Sequence, residues 1–275
     1  MAKKREAMKE IDKNSTEDLP LTHAKEWMAK GGDPNILDKM GTPAFYYAIN
    51  NPPVMELYIS NGADVKLGCK SIGGNVLHQT AFWGSWKTTK MVLDAGADPR
   101  MEKNDGQTAL HCAALMCTLK HINKSIDRFD QMDYAKTMEL LLEKGVDANA
   151  KDMHGRTPLH LICQTSTVPD HSYHYGDCVV KLLKAGADLN AEDNWRYSPL
   201  DYVRDEELAV ELIKFGAKFS ANYKKHRIAR SSRSVKVTRP TVDELKEDVA
   251  ESLKEQEKER KHAEAEEEMK RIGWK

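Results

Sequence analysis

The chain has 275 residues, 40% of them apolar, and carries 42 basic against 43 acidic side chains for a net charge of −1. That apolar share can bury a sizeable core, and the balance of charge argues against a dedicated nucleic-acid binder, which carries a surplus of Lys and Arg. The five cysteines at irregular spacing make a poor disulfide framework and suit a reducing compartment. Met1 is followed by Lys3, Lys4 and Arg5 rather than by the apolar stretch of a signal peptide, and no apolar run approaches the ~20 residues that cross a bilayer. A soluble, cytoplasmic protein is expected, with a nuclear address or secretion by a non-classical route left open.

In chain order, residues 1–16 read as a charged arm. A partial unit follows, keeping one helix around Leu21 to Met28 and closing on Gly31-Gly32-Asp33-Pro34-Asn35. Two signals then alternate. The first is Thr42-Pro43-Ala44-Phe45, Asn75-Val76-Leu77-His78, Thr108-Ala109-Leu110-His111, Thr157-Pro158-Leu159-His160 and Ser198-Pro199-Leu200-Asp201. The second is Gly62-Ala63-Asp64, Gly96-Ala97-Asp98, Gly145-Val146-Asp147, Gly186-Ala187-Asp188 and Gly216-Ala217-Lys218. A Thr or Ser hydroxyl caps a helix start, Pro is welcome at the first helical position, and Gly supplies the left-handed residue that ends a helix. Between the signals lie apolar residues at helical spacing, such as Met138, Leu141 and Leu142, or Val179, Leu182 and Leu183. Each unit therefore reads as turn, helix, connection, helix, turn.

This pattern resembles the ankyrin repeat, whose period is about 33 residues. Thr42 to Asn75 and Asn75 to Thr108 are both 33, and Gly62 to Gly96 is 34. The resemblance covers residues 17–220 and implies an all-α solenoid of about five helix-turn-helix repeats behind a partial N-terminal cap. It implies structural roles for His78, His111 and His160, each bonding the backbone of a neighbouring turn, and for Thr42, Thr108 and Thr157 at the helix starts. In the last unit Asp201 replaces the His and Ala217-Lys218 replaces Ala-Asp, as suits a polar-faced end.

From capping residue to closing Gly the units run 20, 21, 37, 29 and 18 residues. Against a standard of about 21, the third and fourth carry about 16 and about 8 extra residues, both between their two helices. The inserted loops hold Phe129, Tyr173 and Tyr175, and the corresponding turn of the second unit holds Trp83 and Trp86. Aromatic residues are favoured at contact hot spots, so this region is one candidate partner surface; closing the loops over the outer helices is the other use for it. A second surface is implied by the resemblance, on the concave face and turn tips: Tyr46, Gln79, Cys112, Leu161 and Tyr202, each following the structural position, with Trp83 grouped here too and Trp195 and Arg196 at a tip. Trp beside Arg is typical hot-spot composition, although Trp195 could instead pack on the neighbouring tip.

His171, His174 and Cys178, with His121 and Cys117 across the loops, have a spacing open to zinc but lack the tight, repeated pairs of metal sites. Neither a Gly-rich phosphate loop nor a nucleophile elbow is present, and Cys112 beside structural histidines makes a poor nucleophile. The expectation is no enzyme, no cofactor, no metal and no small-molecule substrate.

Residues 221–240 form a basic linker, with seven Lys or Arg and no acid from Tyr223 to Arg239. Thr241-Val242-Asp243-Glu244 then has the form of a capping box opening a charged, extended helix over 241–275. Val242, Leu245, Val249 and Leu253 make a short apolar stripe, too short for a sustained coiled coil, and Trp274 stands near the end. The stripe and Trp274 are candidate contacts for a partner, or the helix is simply solvated. Together these features point to a scaffold or adaptor that binds a protein, open to membership of a larger complex. An inhibitor or secreted effector, and a nucleic-acid contact through residues 224–239, stand as alternatives.

Overall fold

The computed structural model describes residues 21–70, 73–117, 132–165, 175–204 and 206–223. The N-terminal arm, most of both inserted loops, the linker after Tyr223 and the C-terminal helix proposed from sequence lie outside the described residues, and with them Phe129, Tyr173, Val242, Leu245, Val249, Leu253 and Trp274. Tyr175 begins a helix, but its side chain is not among those described.

The described chain is a stack of paired helices. The first helix among the described residues, α1 (Leu21–Ala29), covers the helix expected around Leu21 to Met28. Next comes a 3-10 turn over Ala44–Ala48 paired with α2 (Pro52–Ser60). The pairs α3 (Val76–Phe82) with α4 (Trp86–Asp94) and α5 (Ala109–Cys117) with α6 (Tyr134–Glu143) follow. Then come α7 (Pro158–Thr165) with α8 (Tyr175–Lys184), and α9 (Pro199–Tyr202) with α10 (Glu206–Lys214). The mostly helical architecture matches the reading of the sequence. Two details differ from it. The first inner helix is 3-10 and short, because Asn51 caps α2 with its side chain and Pro52 and Pro53 start the next helix early. Neighbouring tips also hold brief antiparallel pairing, as β1 (Gly68–Cys69) and β2 (Gly74–Asn75) and as the bridges Leu37–Pro43 and Glu102–Thr108.

The core runs through the stack. In α5 the residues Ala109, Leu110, His111, Cys112, Ala113, Ala114 and Cys117 are all buried. The small side chains among them let α3 and α7 approach from either side, so that inner helices pack against inner helices along the stack. Leu77, Leu110, Leu159 and Leu200 are fully buried at matching places in successive units.

The helix starts are held by an imidazole relay. His111 Nδ1 accepts from the Thr108 N–H at 3.2 Å and from its hydroxyl at 2.9 Å, which leaves the ring proton on Nε2 to donate to the Arg156 carbonyl at 3.0 Å. His160 repeats this with the Thr157 N–H at 3.1 Å, the Thr157 hydroxyl at 2.9 Å and the Tyr197 carbonyl at 3.0 Å. The Thr108 and Thr157 hydroxyls therefore serve the imidazole rather than the helix N–H groups expected from sequence. At the second unit Asn75 caps Leu77 and His78 directly, and His78 Nε2 makes no hydrogen bond among the described residues. Thr42 does not cap an α-helix; its amide donates to Asp38 and its hydroxyl accepts from the Cys69 thiol. Asp201 takes the histidine's place in the last unit, accepting from the Ser198 amide at 2.7 Å and from the Ser220 amide at 3.1 Å. The polarity is inverted: a carboxylate can only accept, so it binds an N–H where the imidazole binds a carbonyl.

A second link was not read from the sequence. Asn149 Nδ2 donates to the Gly186 carbonyl at 2.9 Å while its Oδ1 accepts from the Asp188 amide at 2.7 Å. Asn35 ties Gly62 to Asp64, and Asn190 ties Gly216 to Lys218, in the same manner. The equivalent positions in the other units are Lys66 and Arg100, whose amides make the same turn onto Asp64 and Asp98. Arg100 recovers half of the link by donating to the Gly145 carbonyl, but a guanidinium cannot accept the second hydrogen bond.

Two predictions follow from these contacts. Replacing Lys66→Asn supplies both hydrogen bonds at the one junction that has neither, and should stabilise the fold by about 1 kcal/mol, whereas Asn149→Ala should cost about 1–2 kcal/mol. Urea midpoints measure both, and an unchanged midpoint for Asn149→Ala would refute the link. Burial lowers the pKa of all three imidazoles, that of His78 from 6.5 to about 4. Because the unfolded histidines bind protons first, stability contributed above pH 6.5 is lost as pH falls through 6.5 toward 4, by up to about 1.4 kcal/mol per pH unit for each ring. A urea midpoint that stayed flat across that window would contradict it.

Candidate interaction surfaces

The stack presents two separate edges. Inner helices start at the hairpin tips, at Asn75, Thr108, Thr157 and Ser198, and end at the turn that leads to the outer helix. The seven-residue α3 places its two ends about 10 Å apart, with Trp83 at its C-cap. Trp83 therefore belongs to the turn edge, not to the tips with which the sequence reading also grouped it.

At the tip edge, consecutive hairpins are joined backbone to backbone. Asn104 N–H donates to the Gly73 carbonyl at 3.0 Å, Met153 N–H to Asp105 at 2.9 Å, and Asn194 N–H to His154 at 3.0 Å. Inside each of two hairpins an aspartate faces inward and organises the turn. Asp152 accepts from the His154 and Arg156 amides and from the Arg156 guanidinium at 2.7 Å. Asp193 accepts from the Trp195 and Tyr197 amides and from the Tyr202 hydroxyl. Burial acts to raise the Asp152 carboxyl, but the Arg156 side chain and backbone donors outweigh it and hold its pKa below the usual 3.8. With their acids turned inward, the hairpins expose the residues at their apices.

Those apices carry large apolar groups: Met40 is 70% exposed, Met153 63% and Trp195 53%. Trp195 stacks on His154 of the preceding tip, with ring centroids 5.5 Å apart and planes 25° apart. It thus packs on its neighbour and offers its other face to solvent, so the two uses weighed for it coexist. Arg196 is exposed beside it. Arg196 also has φ of 61°, the one non-glycine with positive φ among the described residues. The same place in other tips holds Gly41, Gly106 and Gly155. A Cβ on Gly155 would meet the next tip, 2.8 Å from the Asn194 backbone nitrogen. Among the described residues no further hairpin stands in front of Arg196, so only the conformational cost of a left-handed residue remains.

The concave positions expected from resemblance are mostly closed. Tyr46 (3% exposed), Cys112 (4%) and Leu161 (1%) are buried, because the residue after the structural position faces the next inner helix and stacking covers it. The Tyr46 hydroxyl donates to the Leu67 carbonyl, an internal contact. Burial pushes the Cys112 thiol up to about 12, which removes it as a nucleophile as well. Gln79 and Tyr202 are half-buried, and the Tyr202 hydroxyl is committed to Asp193. Three residues later in the same helices, Phe82 and Leu115 are half-buried against the core, while Gln164 is exposed and accepts from the Arg156 guanidinium at 3.0 Å.

At the turn edge, Trp83 is 37% exposed and packs edge-on against Phe82, with ring centroids 5.6 Å apart. Trp86 is half-buried, with the Lys136 ammonium 3.6 Å from its ring centroid. Tyr134 donates to the Phe82 carbonyl and Asp133 N–H to the Gly84 carbonyl, which docks the end of the first inserted loop on this turn. A Cβ on Gly84 would stand 2.9 Å from the Tyr134 ring. Of the zinc ligands considered, Cys117 and Cys178 are buried, while His121, His171 and His174 lie outside the described residues. Among the described residues no group of three or more His, Cys, Asp or Glu is placed to hold a metal ion, and no helix is long and apolar enough to cross a membrane.

A family model described as ankyrin repeat matches residues 105–153 and 154–194. The chain is similar to a putative palmitoyltransferase ZDHHC13 of Danio rerio, 28% identical over 183 residues, covering 66% of this chain and 25% of that protein. It is similar to neurogenic locus notch homolog protein 1 of Homo sapiens, 27% identical over 168 residues, covering 54% of this chain and 6% of that protein. The palmitoyltransferase ZDHHC13 of Homo sapiens is 24% identical over 254 residues, covering 82% of this chain and 40% of that protein. The chain therefore spans less than half the length of these curated relatives. With repeated helix pairs, imidazole-linked hairpins and two consecutive matched segments on the page, this chain is an ankyrin-repeat protein.

Proposed function

We propose that this chain is a scaffold or adaptor that holds a protein partner on its hairpin tips. Ankyrin repeats are a protein-interaction fold, and the observation that supports the tip edge here is the exposure of Met153 and Trp195, with Arg196 beside them, on a backbone ladder that keeps them in place. Rigid aromatic anchors cost little rotamer entropy on binding, and tips tied to one another lose little more. Five repeats over residues 17–220, a basic linker and a charged C-terminal helix complete the proposed organisation, with Trp83, Trp86 and the apolar stripe from Val242 as further contacts. Of the residues expected on the concave face, Gln79 and Tyr202 stay accessible, and exposed Gln164 joins them.

The experiment is capture of partners from native lysate by three baits: the full chain, a truncation ending at Ser220, and the double substitution Trp195→Ala/Arg196→Ala. The same partner should be retained by the truncation and lost, by about tenfold or more, from the double variant, the scale of one hot-spot pair. Retention by the double variant with loss from the truncation would overturn the tip reading and assign binding to the segment after Ser220.

A further inference from the structure

We propose that the last hairpins recognise an acidic, extended peptide segment bearing an aromatic or apolar anchor, with Arg196 as the residue that selects for its carboxylates. This deepens the proposed function and rests on the tip edge being the partner surface. Three observations carry it.

The first is charge. The hairpin carboxylates are turned inward, Asp152 onto Arg156 and Asp193 onto Tyr202 and the turn amides. At the apices of the last two hairpins the exposed charges are then Lys151 and Arg196 against Glu192, while Asp147, Asp188 and Lys218 are exposed at the hairpin bases. Lys151 donates to the Glu192 carbonyl, which spends one of its hydrogens on the backbone and leaves the ammonium uncompensated by a side chain. The second is shape. Trp195 and Met153 are exposed side by side on adjoining tips, with His154 under the indole. An extended segment crossing these tips meets an apolar patch with Arg196 beside it. Asn222 donates to the Trp195 carbonyl and Asn194 to the Met153 carbonyl, so the patch is fixed from below.

The third is the backbone of Arg196. A left-handed Arg is disfavoured where the neighbouring tips use Gly, and Gly would serve the turn better. Among the described residues the guanidinium makes no hydrogen bond or ion pair. The folded chain thus carries a left-handed residue whose exposed side chain stands beside Trp195 on the last described hairpin. A planar fork of donors matches a carboxylate bidentately, which a Lys at that place would not do.

The test uses the full chain and short fluorescein-labelled peptides of three compositions, each with one Phe: repeating Glu, the same with Gln for Glu, and the same with Lys for Glu. Polarisation should show binding of the Glu peptide that weakens with added salt, about tenfold or more tighter than the Gln and Lys peptides. The variant Arg196→Gly should raise the melting temperature, since it relieves the backbone, and weaken the Glu peptide about tenfold. Trp195→Ala should weaken all three peptides. If the Gln or Lys peptide binds as tightly as the Glu peptide yet is still lost with Trp195→Ala, the acidic preference is wrong while the tip surface stands. If the Glu peptide binds wild type and both variants alike, the tip surface fails as well. No binding of the Glu peptide to the wild-type chain overturns the inference outright.

Discussion

Everything in this fold depends on a hydrogen bond that leaves its own unit. The ring nitrogen of His111 reaches the carbonyl of Arg156, and that of His160 reaches Tyr197, so that each inner helix is started by its own Thr but completed by the next hairpin. A single helix pair of this kind has one apolar face and one set of turn carbonyls with no partner, and neither is satisfied until a neighbour arrives. The inner helices then pack closely because Ala113, Ala114 and Cys112 offer little bulk on the contact face. Stacking and hydrogen bonding therefore succeed or fail together. Neutral imidazole is the right group for the task, since it accepts on one side and donates on the other, and burial keeps it neutral.

The ends of the stack show what that dependence costs when there is no neighbour. At the last unit Asp201 replaces the imidazole and turns to the Ser220 amide, a partner that the chain's own continuation supplies. At the last tip the steric reason for glycine vanishes along with the next hairpin, and Arg196 occupies the place. Inside the stack Gly155 has no such freedom, because the Asn194 backbone sits against it. The terminal hairpin is thus the one among those described whose apex side chain can be chosen for something other than closure.

Much of this was legible in the sequence because it is periodic. The Thr-x-x-His and Gly-Ala-Asp signals located the helix pairs, and the widened Thr108–Gly145 and Thr157–Gly186 intervals located the insertions between inner and outer helices. What the sequence did not reveal was orientation. Tyr46, Cys112 and Leu161 were expected on the concave face, but they stand on the side of the inner helix that the next unit covers, which only packing decides. The Asn35, Asn149 and Asn190 links were hidden for another reason. Their position holds Lys66 and Arg100 in the intervening units, so the pattern is broken in one dimension although the backbone turn is the same at all five places.

The geometry of the anchor also explains how the third and fourth units tolerate insertions. The imidazole and asparagine links act at the tip side of each helix pair, where α5 and α7 begin, whereas the added residues emerge where those helices end. Loop closure grows in cost only slowly with length, so extra chain at the far end perturbs neither the register of the tips nor the stacking of the inner helices. Tyr134, at the start of α6, then meets the preceding turn at Phe82 and Gly84. The tips and the turn edge are in consequence independent surfaces on one rigid stack. Changes in loop length or sequence on one can proceed without moving the Trp195–His154 pair on the other.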